Sequence, residues 1–165
     1  MEKAPRFLVA PHLGGLARWL RLLGYDATVY PRAGFHRLVA RALREKRVYL
    51  TRCAKEASDK RSFARRLIVA EQHTDQLTEL LDVLRLRPAM LFTRCSRCNT
   101  PLRPLPRERA AQLAPPYILS THEDIRYCPD CGRLYWPGTH QQSMLATLQR
   151  IFGPASAHCK TLDAN

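Results

Sequence analysis

The sequence predicts an α/β domain over residues 1–90, a four-cysteine domain with a final helix over residues 91–152, and a tail over residues 153–165. In the first part, short apolar runs alternate with amphipathic segments, which is typical of a sheet covered by helices. This alternation stops at "RPAM" (87–90), where a proline-rich stretch begins. Two Cys-x-x-Cys pairs bracket that stretch, and an amphipathic segment follows them.

Four strands are predicted in the first domain, each followed by a helix. The strands are the apolar runs "RFLVA" (6–10), "DATVY" (26–30), "RVYLT" (47–51) and "LIVA" (67–70). The helices are residues 13–24, 35–46, 54–66 and 74–86. Because strand–helix–strand units place neighbouring strands parallel, this order predicts a mostly parallel sheet with helices packed on it.

Apolar residues that recur every three or four positions predict the buried face of each helix. These residues are Leu13, Leu16, Ala17, Leu20 and Leu23, then Phe35, Leu38, Val39, Ala42 and Leu43, and finally Leu77, Leu80, Leu81 and Leu84. Arg18 and Arg21 lie one turn apart on the other side of the first helix. Thr74 is expected to cap the fourth helix.

The predicted second domain differs from the first in composition and periodicity. Prolines stand at positions 101, 104, 106, 115 and 116, without a long periodic segment. A helix is predicted again over residues 138–152, where Thr139 and Gln142 have the spacing of a capping box. Its apolar stripe consists of Met144, Leu145, Leu148, Ile151 and Phe152.

The chain is strongly basic, with a formal net charge of +13 and a pI near 10.1. Such an excess favours a polyanionic partner, most simply RNA or DNA; the alternative is charge that serves only solubility. No apolar run is long enough to span a bilayer, so no membrane partner is expected. Because the sequence lacks a secretory signal, we expect a reducing intracellular compartment, which the sequence does not identify as cytoplasm or organelle matrix.

Four of the six cysteines form two pairs with metal-ligand spacing. In a reducing compartment, paired Cys-x-x-Cys motifs indicate a metal site rather than disulfides. Four thiolates close the tetrahedral shell of a zinc ion, so one structural Zn²⁺ per chain is expected on Cys95, Cys98, Cys128 and Cys131. Gly132 follows the second pair and allows the tight turn of a knuckle. The 29 residues between the pairs exceed the common ribbon spacing and predict an insertion.

The sequence contains five further blocks of note, which are "FLVAPHLGGLARWLRLLGYD", "VYLTRC", "DQL", "TRCSRCNTPL" and "YCPDCGRLYWPGTH". Together they resemble the Mut-seven C-terminal RNase family. The resemblance runs from about residue 6 to about residue 148 and implies a PIN-like nuclease domain followed by a zinc ribbon. It agrees with the α/β domain and the cysteine pairs that the residues predict by themselves.

The acids implied by this resemblance are missing from the sequence. PIN-type nucleases hold Mg²⁺ or Mn²⁺ on carboxylates at the carboxyl ends of parallel strands. Ala10 stands where the family has the acid that ends strand one, and Cys53 stands where it has the acid after Thr-Arg. The segment "PRAGFHR" (31–37), where a further acid is implied, contains none. Asp26, Asp59 and Asp75 are expected to lie elsewhere.

The leading hypothesis is therefore an RNA-binding, catalytically degenerate PIN-like protein, a structural or adaptor subunit of a ribonucleoprotein such as an organellar ribosome, with rRNA as one possible ligand. The expected RNA contacts are Arg18, Arg21, Arg52, Arg94 and Arg97. The alternatives are an active metal-dependent ribonuclease, a zinc-ribbon module that binds unidentified proteins, and a nucleophilic pair of Cys53 and His12. Enzymatic activity is left open, with an inactive site favoured.

Overall fold

The computed structural model describes residues 4–31, 34–86 and 90–153. Its first part contains four strands, β1 (Arg6–Val9), β2 (Ala27–Val29), β3 (Arg47–Thr51) and β4 (Arg65–Leu67). The helices are α1 (Gly14–Leu22), α2 (Phe35–Glu45), α3 (Ala54–Ala57) and α4 (His73–Leu84), and a 3-10 turn (Pro11–Leu13) precedes α1. All strand pairs are parallel, in the order β2-β1-β3-β4, which confirms the predicted sheet.

Helices cover both faces of this sheet. Phe7 and Val9 of β1 pack in one apolar cluster with residues of α1 and α4, including Leu16 and Leu77. Leu8 and Ala10 point to the other face, where they pack with residues of α2. This two-residue alternation is what a strand buried on both sides requires, and it explains why the run 7–10 is apolar throughout.

Two predicted elements of the first domain have different bounds in the structure. The predicted helix 54–66 ends at Ala57, because the guanidinium of Arg65 donates to the carbonyl oxygens of Ala57, Asp59 and Arg61 and holds that segment as a loop. The predicted strand 67–70 is replaced by β4, which pairs two residues earlier with β3. Beyond it, the Glu79 carboxylate accepts the backbone N–H groups of residues 69 and 70, which are therefore unavailable to a sheet ladder.

The predicted caps and one predicted core residue are also wrong. Neither α4 nor the last helix has a side-chain cap: they begin after Gln72 and Gly138, so Thr74 and Thr139 lie inside the helices. The carbonyl of Gly138 accepts the N–H of Gln142 directly. Leu43 of α2 is 53% exposed, so the buried face of that helix ends at Ala42.

The cysteine-rich part forms a small antiparallel sheet with an insertion. Its strands are β5 (Arg103–Pro104), β6 (Arg126–Tyr127) and β7 (Leu134–Tyr135). Two short helices, α5 (Arg107–Leu113) and α6 (Pro116–Thr121), occupy the long spacer between the cysteine pairs. They close an apolar cluster with Leu105 and Ile125, so the insertion has a small core of its own.

The final helix α7 (Thr139–Phe152) follows the ribbon in sequence but packs on the first domain. Its Leu148 is buried in the same cluster as β1, α1 and α4, with Leu145 and Ile151 against it. The apolar stripe predicted for this helix is thus confirmed, and its partner is the α/β core. No helix among residues 4–31, 34–86 and 90–153 is long and apolar enough to cross a bilayer. The predicted tail lies outside the described residues beyond Gly153.

Candidate functional site

The four paired cysteines converge at one point of the ribbon. The sulfur atoms of Cys95, Cys98, Cys128 and Cys131 all lie within 4.8 Å of one another. Cys95 and Cys128 are completely buried, and no cysteine among the described residues forms a disulfide. The structure therefore brings together all four predicted ligands in a group that could hold one metal ion.

Both knuckles have the same backbone turn. Asn99 donates its N–H to the carbonyl of Cys95, and Gly132 donates to that of Cys128. Both residues have left-handed backbone angles, φ +71 for Asn99 and φ +68 for Gly132. Glycine adopts this conformation at little cost, and asparagine is among the residues that tolerate it best. Gly132 thus has its predicted role, whereas the equivalent role of Asn99 was not predicted.

Cys95 and Cys98 have pKa values that are shifted in opposite directions. Burial works against the Cys95 thiolate, but hydrogen bonds from the Tyr135 hydroxyl, 3.1 Å away, and from backbone N–H groups outweigh burial and lower the pKa of Cys95 to about 7. The hydrogen bond between Cys98 and Cys131, together with burial, raises the pKa of Cys98 to about 12. Four thiols this close cannot all ionise without a cation, which is the condition that a bound metal ion satisfies.

Arg21 holds the first knuckle against the sheet. Its guanidinium donates to the carbonyl oxygens of Ser96 at 2.9 Å, Arg97 at 2.8 Å and, through Nε, Ala27 at 2.8 Å. Burial lowers the pKa of Arg21, and the neighbouring Cys95 and Cys98 oppose that shift. Arg21 is only 7% exposed. Its position gives no support to the expectation that it binds RNA, because its donors connect α1 to β2 and to the first knuckle.

A second polar connection starts from Asp26 at the amino end of β2. Its carboxylate accepts hydrogen bonds from Arg47 at 2.7 Å, from the Asn99 amide at 2.7 Å and from Arg6 at 3.0 Å. Burial alone would raise the pKa of Asp26, but these donors outweigh it and hold the pKa far below its usual range. Asp26 lies away from the cleft, as predicted, and anchors the ribbon instead.

The other predicted RNA contacts differ in how much solvent they reach. Arg18, Arg52 and Arg97 are exposed. Arg52 lies 3.7 Å from the Glu71 carboxylate, a surface pair that contributes little. Arg94 is half-buried and donates to the carbonyls of Gly24 and Asn99, so it has a structural role in the ribbon.

The two positions where acids were expected, Ala10 and Cys53, line one cleft of about 340 Å³ at the carboxyl edge of the sheet. This juxtaposition agrees with the resemblance. Ala10 is 1% exposed and donates its N–H to the carbonyl of Leu50. The segment 31–37, where a further acid was implied, is described only in part, because residues 32 and 33 lie outside the described residues.

One carboxylate of this cleft, Glu56, was not predicted. Its Oε2 accepts hydrogen bonds from the Thr51 hydroxyl at 2.6 Å and from the Tyr49 hydroxyl at 2.8 Å. Burial, followed by the hydrogen bond to Glu56, raises the pKa of Tyr49, so this phenol remains a neutral donor. The available signal was the position of Glu56, three residues after Cys53 in the first turn after β3.

His12 and Cys53 both line the cleft, but their hydrogen bonds do not join them. The Nε2 atom of His12 accepts the backbone N–H of Arg52 at 3.1 Å. The N–H of Cys53 goes to the hydroxyl of Thr51. A nucleophilic pair needs the imidazole nitrogen directed at sulfur. The hydrogen bonds therefore give no support to a Cys53–His12 pair.

Cations surround one side of the cleft. The segment 60–66, which runs into β4, carries Lys60, Arg61, Arg65 and Arg66. Arg61 stacks over Phe35, which lines the cleft, at 4.8 Å from the ring centroid. Arg65 stacks over Phe63 at 4.7 Å. This segment, called here the basic rim, places positive charge beside the cleft. Its Lys60, Arg61 and Arg66 are exposed, although Arg61 also pairs with Asp59 at 2.7 Å, and Arg65 is half-buried.

The comparisons with known proteins agree with this architecture. The model of the Mut7-C RNAse domain family matches residues 5–148, which include the sheet, the cleft, all four clustered cysteines and most of α7. No curated protein and no solved structure matches the chain.

Proposed function

Because the chain belongs to the Mut7-C RNase domain family, we propose that it binds RNA without cleaving it, as a structural or adaptor subunit of a ribonucleoprotein. An organellar ribosome, with rRNA as the ligand, is one example of such an assembly. The proposal has two parts, the absence of cleavage and the retention of RNA, and each has its own support.

The composition of the cleft is the observation that supports the absence of cleavage. Mg²⁺ and Mn²⁺ need several oxygen ligands, and metal-dependent nucleases supply most of them as carboxylates. Ala10 offers no ligand and Cys53 offers sulfur, which hard cations disfavour. Among the described residues that line the cleft, Glu56 is the only acid, and its Oε2 already accepts two hydrogen bonds.

Positive charge supports the retention of RNA. The net charge is +13, and the basic rim and Arg52 place part of it beside the cleft. Binding through phosphate contacts releases counterions, so affinity for single-stranded RNA should decrease with salt, with a logarithmic slope of about −0.7 per neutralised phosphate.

We also propose that the metal ion of the ribbon is one structural Zn²⁺ per chain. Sulfur atoms about 2.3 Å from a tetrahedral zinc ion lie about 3.8 Å apart. The sulfur atoms of Cys95 and Cys131 are separated by 3.8 Å. Four thiolates leave no open coordination position, so the ion would stabilise the ribbon and take no part in chemistry at the cleft.

Incubation of the zinc-loaded chain with labelled single-stranded RNA tests the main proposal. We expect binding that weakens steeply with salt, and intact RNA in the presence of Mg²⁺ or Mn²⁺. Charge-neutral variants Arg52→Gln and Arg66→Gln should weaken binding to different RNA sequences about equally.

Glu56 is also the residue that favours the second candidate, an active metal-dependent ribonuclease. That activity would be present if cleavage co-purified with the chain, required Mg²⁺ or Mn²⁺, and disappeared in Glu56→Gln but not in the exposed control Glu71→Gln. If no RNA tested is bound at low salt, the proposed function is wrong, and the ribbon is better interpreted as a protein-interaction module.

A further inference from the structure

We propose that a groove between β7, α1 and the start of α7 binds an unpaired nucleotide of single-stranded RNA. Its base would stack on Trp136, and its phosphate would pair with Arg18 and Arg133. This inference rests on the proposed RNA-binding function, but it assigns a different surface from the nuclease-like cleft.

The groove has a volume of about 360 Å³, within the range of about 300–1,000 Å³ that is usual for ligand pockets. Phe92, Tyr135 and Trp136 contribute aromatic rings to its lining. A smaller depression of about 240 Å³ adjoins it and shares these three rings. A concave surface with several aromatic residues suits a flat ligand with exposed π faces, and nucleobases have this shape.

The metal centre fixes one wall of this groove. The hydroxyl of Tyr135 lies 3.1 Å from the sulfur of Cys95 and 3.4 Å from the hydroxyl of Ser96. Trp136 follows Tyr135 directly at the end of β7. The aromatic wall is therefore hydrogen-bonded to the first knuckle, which restrains it before a ligand binds and reduces the free energy lost in ordering it.

The charges on the groove favour an anionic ligand over an apolar one, and the aromatic lining favours a nucleotide among anionic ligands. Arg18 and Arg133 both line it and are exposed, and neither forms an ion pair with an acid in the part of the chain that the structure describes. In the adjoining depression Arg126 pairs with Asp124 at 3.2 Å. Aromatic rings beside unpaired guanidinium groups form the combination that binds single-stranded nucleic acid.

No residue that lines the groove also lines the nuclease-like cleft. Substitutions can therefore separate the two surfaces. The proposal for the groove can therefore fail in these tests while the general RNA-binding function remains supported.

Tryptophan fluorescence provides a direct test, because the chain has only two tryptophans. In a Trp19→Phe variant, Trp136 is the sole tryptophan. We expect single-stranded oligouridylate or oligoadenylate to quench its emission in a saturable way, with the same dissociation constant that anisotropy of the labelled RNA reports.

Affinity measurements on the full, zinc-loaded chain provide the second test. Trp136→Leu should weaken RNA binding about tenfold, whereas Trp136→Phe keeps a stacking face and should retain most of the affinity. Arg18→Gln and Arg133→Gln should each reduce the salt slope by about 0.7. Arg150→Gln, an exposed cation farther along α7, is the matched control and should leave affinity and slope unchanged.

Three results would overturn the proposal. Trp136 emission could remain unchanged while RNA saturates the chain. Trp136→Leu and Arg133→Gln could bind like the unmodified chain while Arg52→Gln weakens binding, in which case RNA uses the cleft alone. If the chain binds no RNA at all, both this inference and the proposed function fail. Zinc content equal to that of the unmodified chain verifies that each variant is folded.

Discussion

The Arg21 guanidinium shows how one side chain can serve a purpose that its helical position does not suggest. A helical wheel places it at the flank of the apolar stripe of α1, one turn after Ala17, yet the ribbon covers it and its three hydrogen bonds end on backbone carbonyls. Buried carbonyl groups that lose a charged donor are costly, because no water replaces it. Arg21 therefore stabilises the junction between the two parts of the chain.

Replacing this side chain tests that role. Arg21→Met keeps most of the volume but removes all three donors, so we expect the free energy of unfolding to decrease by about 2–4 kcal/mol. Arg18→Met, one turn away and exposed, should change it by less than about 0.5 kcal/mol. Urea unfolding followed by circular dichroism measures both. Equal, small effects of the two variants would contradict the structural role of Arg21.

At the scale of elements, the connection after α1 depends on one glycine. Gly24 has φ +90, and a Cβ at this position would lie 2.3 Å from the carbonyl oxygen of Met90. Gly14, at the start of the same helix, has ordinary helical angles and nothing within 4 Å of a Cβ. The two glycines therefore have opposite tolerance for a side chain.

Gly24→Ala should lower the free energy of unfolding by more than about 2 kcal/mol, because both the backbone angle and the contact with residue 90 must change. Gly14→Ala should be neutral or stabilise by up to about 1 kcal/mol, since alanine favours helix. Thermal unfolding of both variants checks this pair. A tolerated alanine at position 24 would mean that the segment after α4 packs differently.

The ribbon is the element that depends most on its metal ion. Cys128→Ser removes a buried ligand, and structural zinc contributes about 10–16 kcal/mol of apparent binding free energy in small modules. We expect this variant to lose its zinc and residues 92–137 to become sensitive to protease. Cys53→Ser, outside the cluster, is the control and should retain one zinc per chain. Mass spectrometry measures the zinc content of each variant. If the reduced, unmodified chain contains no zinc, the metal site is wrong.

At the scale of the whole molecule, the cleft and the charge distribution favour the same ligand. A carboxylate cluster would attract divalent cations and repel phosphate, whereas the described lining of the present cleft includes one acid beside a basic rim. Fewer acids at this edge thus favour retention of RNA over its hydrolysis.

Restoring acids tests this balance. The double variant Ala10→Asp, Cys53→Asp gives the cleft three carboxylates with Glu56, so we expect Mn²⁺ binding by calorimetry and weaker RNA binding without metal. Ala10 is buried, so the variant should also lose about 2–4 kcal/mol of stability in metal-free buffer, part of which Mn²⁺ should restore. Cys53→Ala alone should show none of these effects. Equal RNA affinity in the double variant and the unmodified chain would contradict the proposed balance.

Features that depend on neighbouring residues or on ligand spacing could be predicted from the sequence. The apolar pattern of residues 47–51 predicts β3 with its observed bounds, and two Cys-x-x-Cys pairs predict the four clustered ligands. The resemblance placed Ala10 and Cys53 at one cleft. These signals are short-range, because a strand period or a knuckle is complete within a few residues.

Contacts between groups that are distant in the chain could be identified only in the folded structure. Arg21 reaches carbonyls about 75 residues away, Glu56 turns into the cleft toward Tyr49, and α7 returns from the ribbon to the core of the first domain. None of these contacts has a local pattern, since an amphipathic helix specifies that one face is buried but not what buries it. Arg18 is exposed and Arg21 is buried, yet both are arginines on the same helix with the same signal in the sequence, and packing alone distinguishes them.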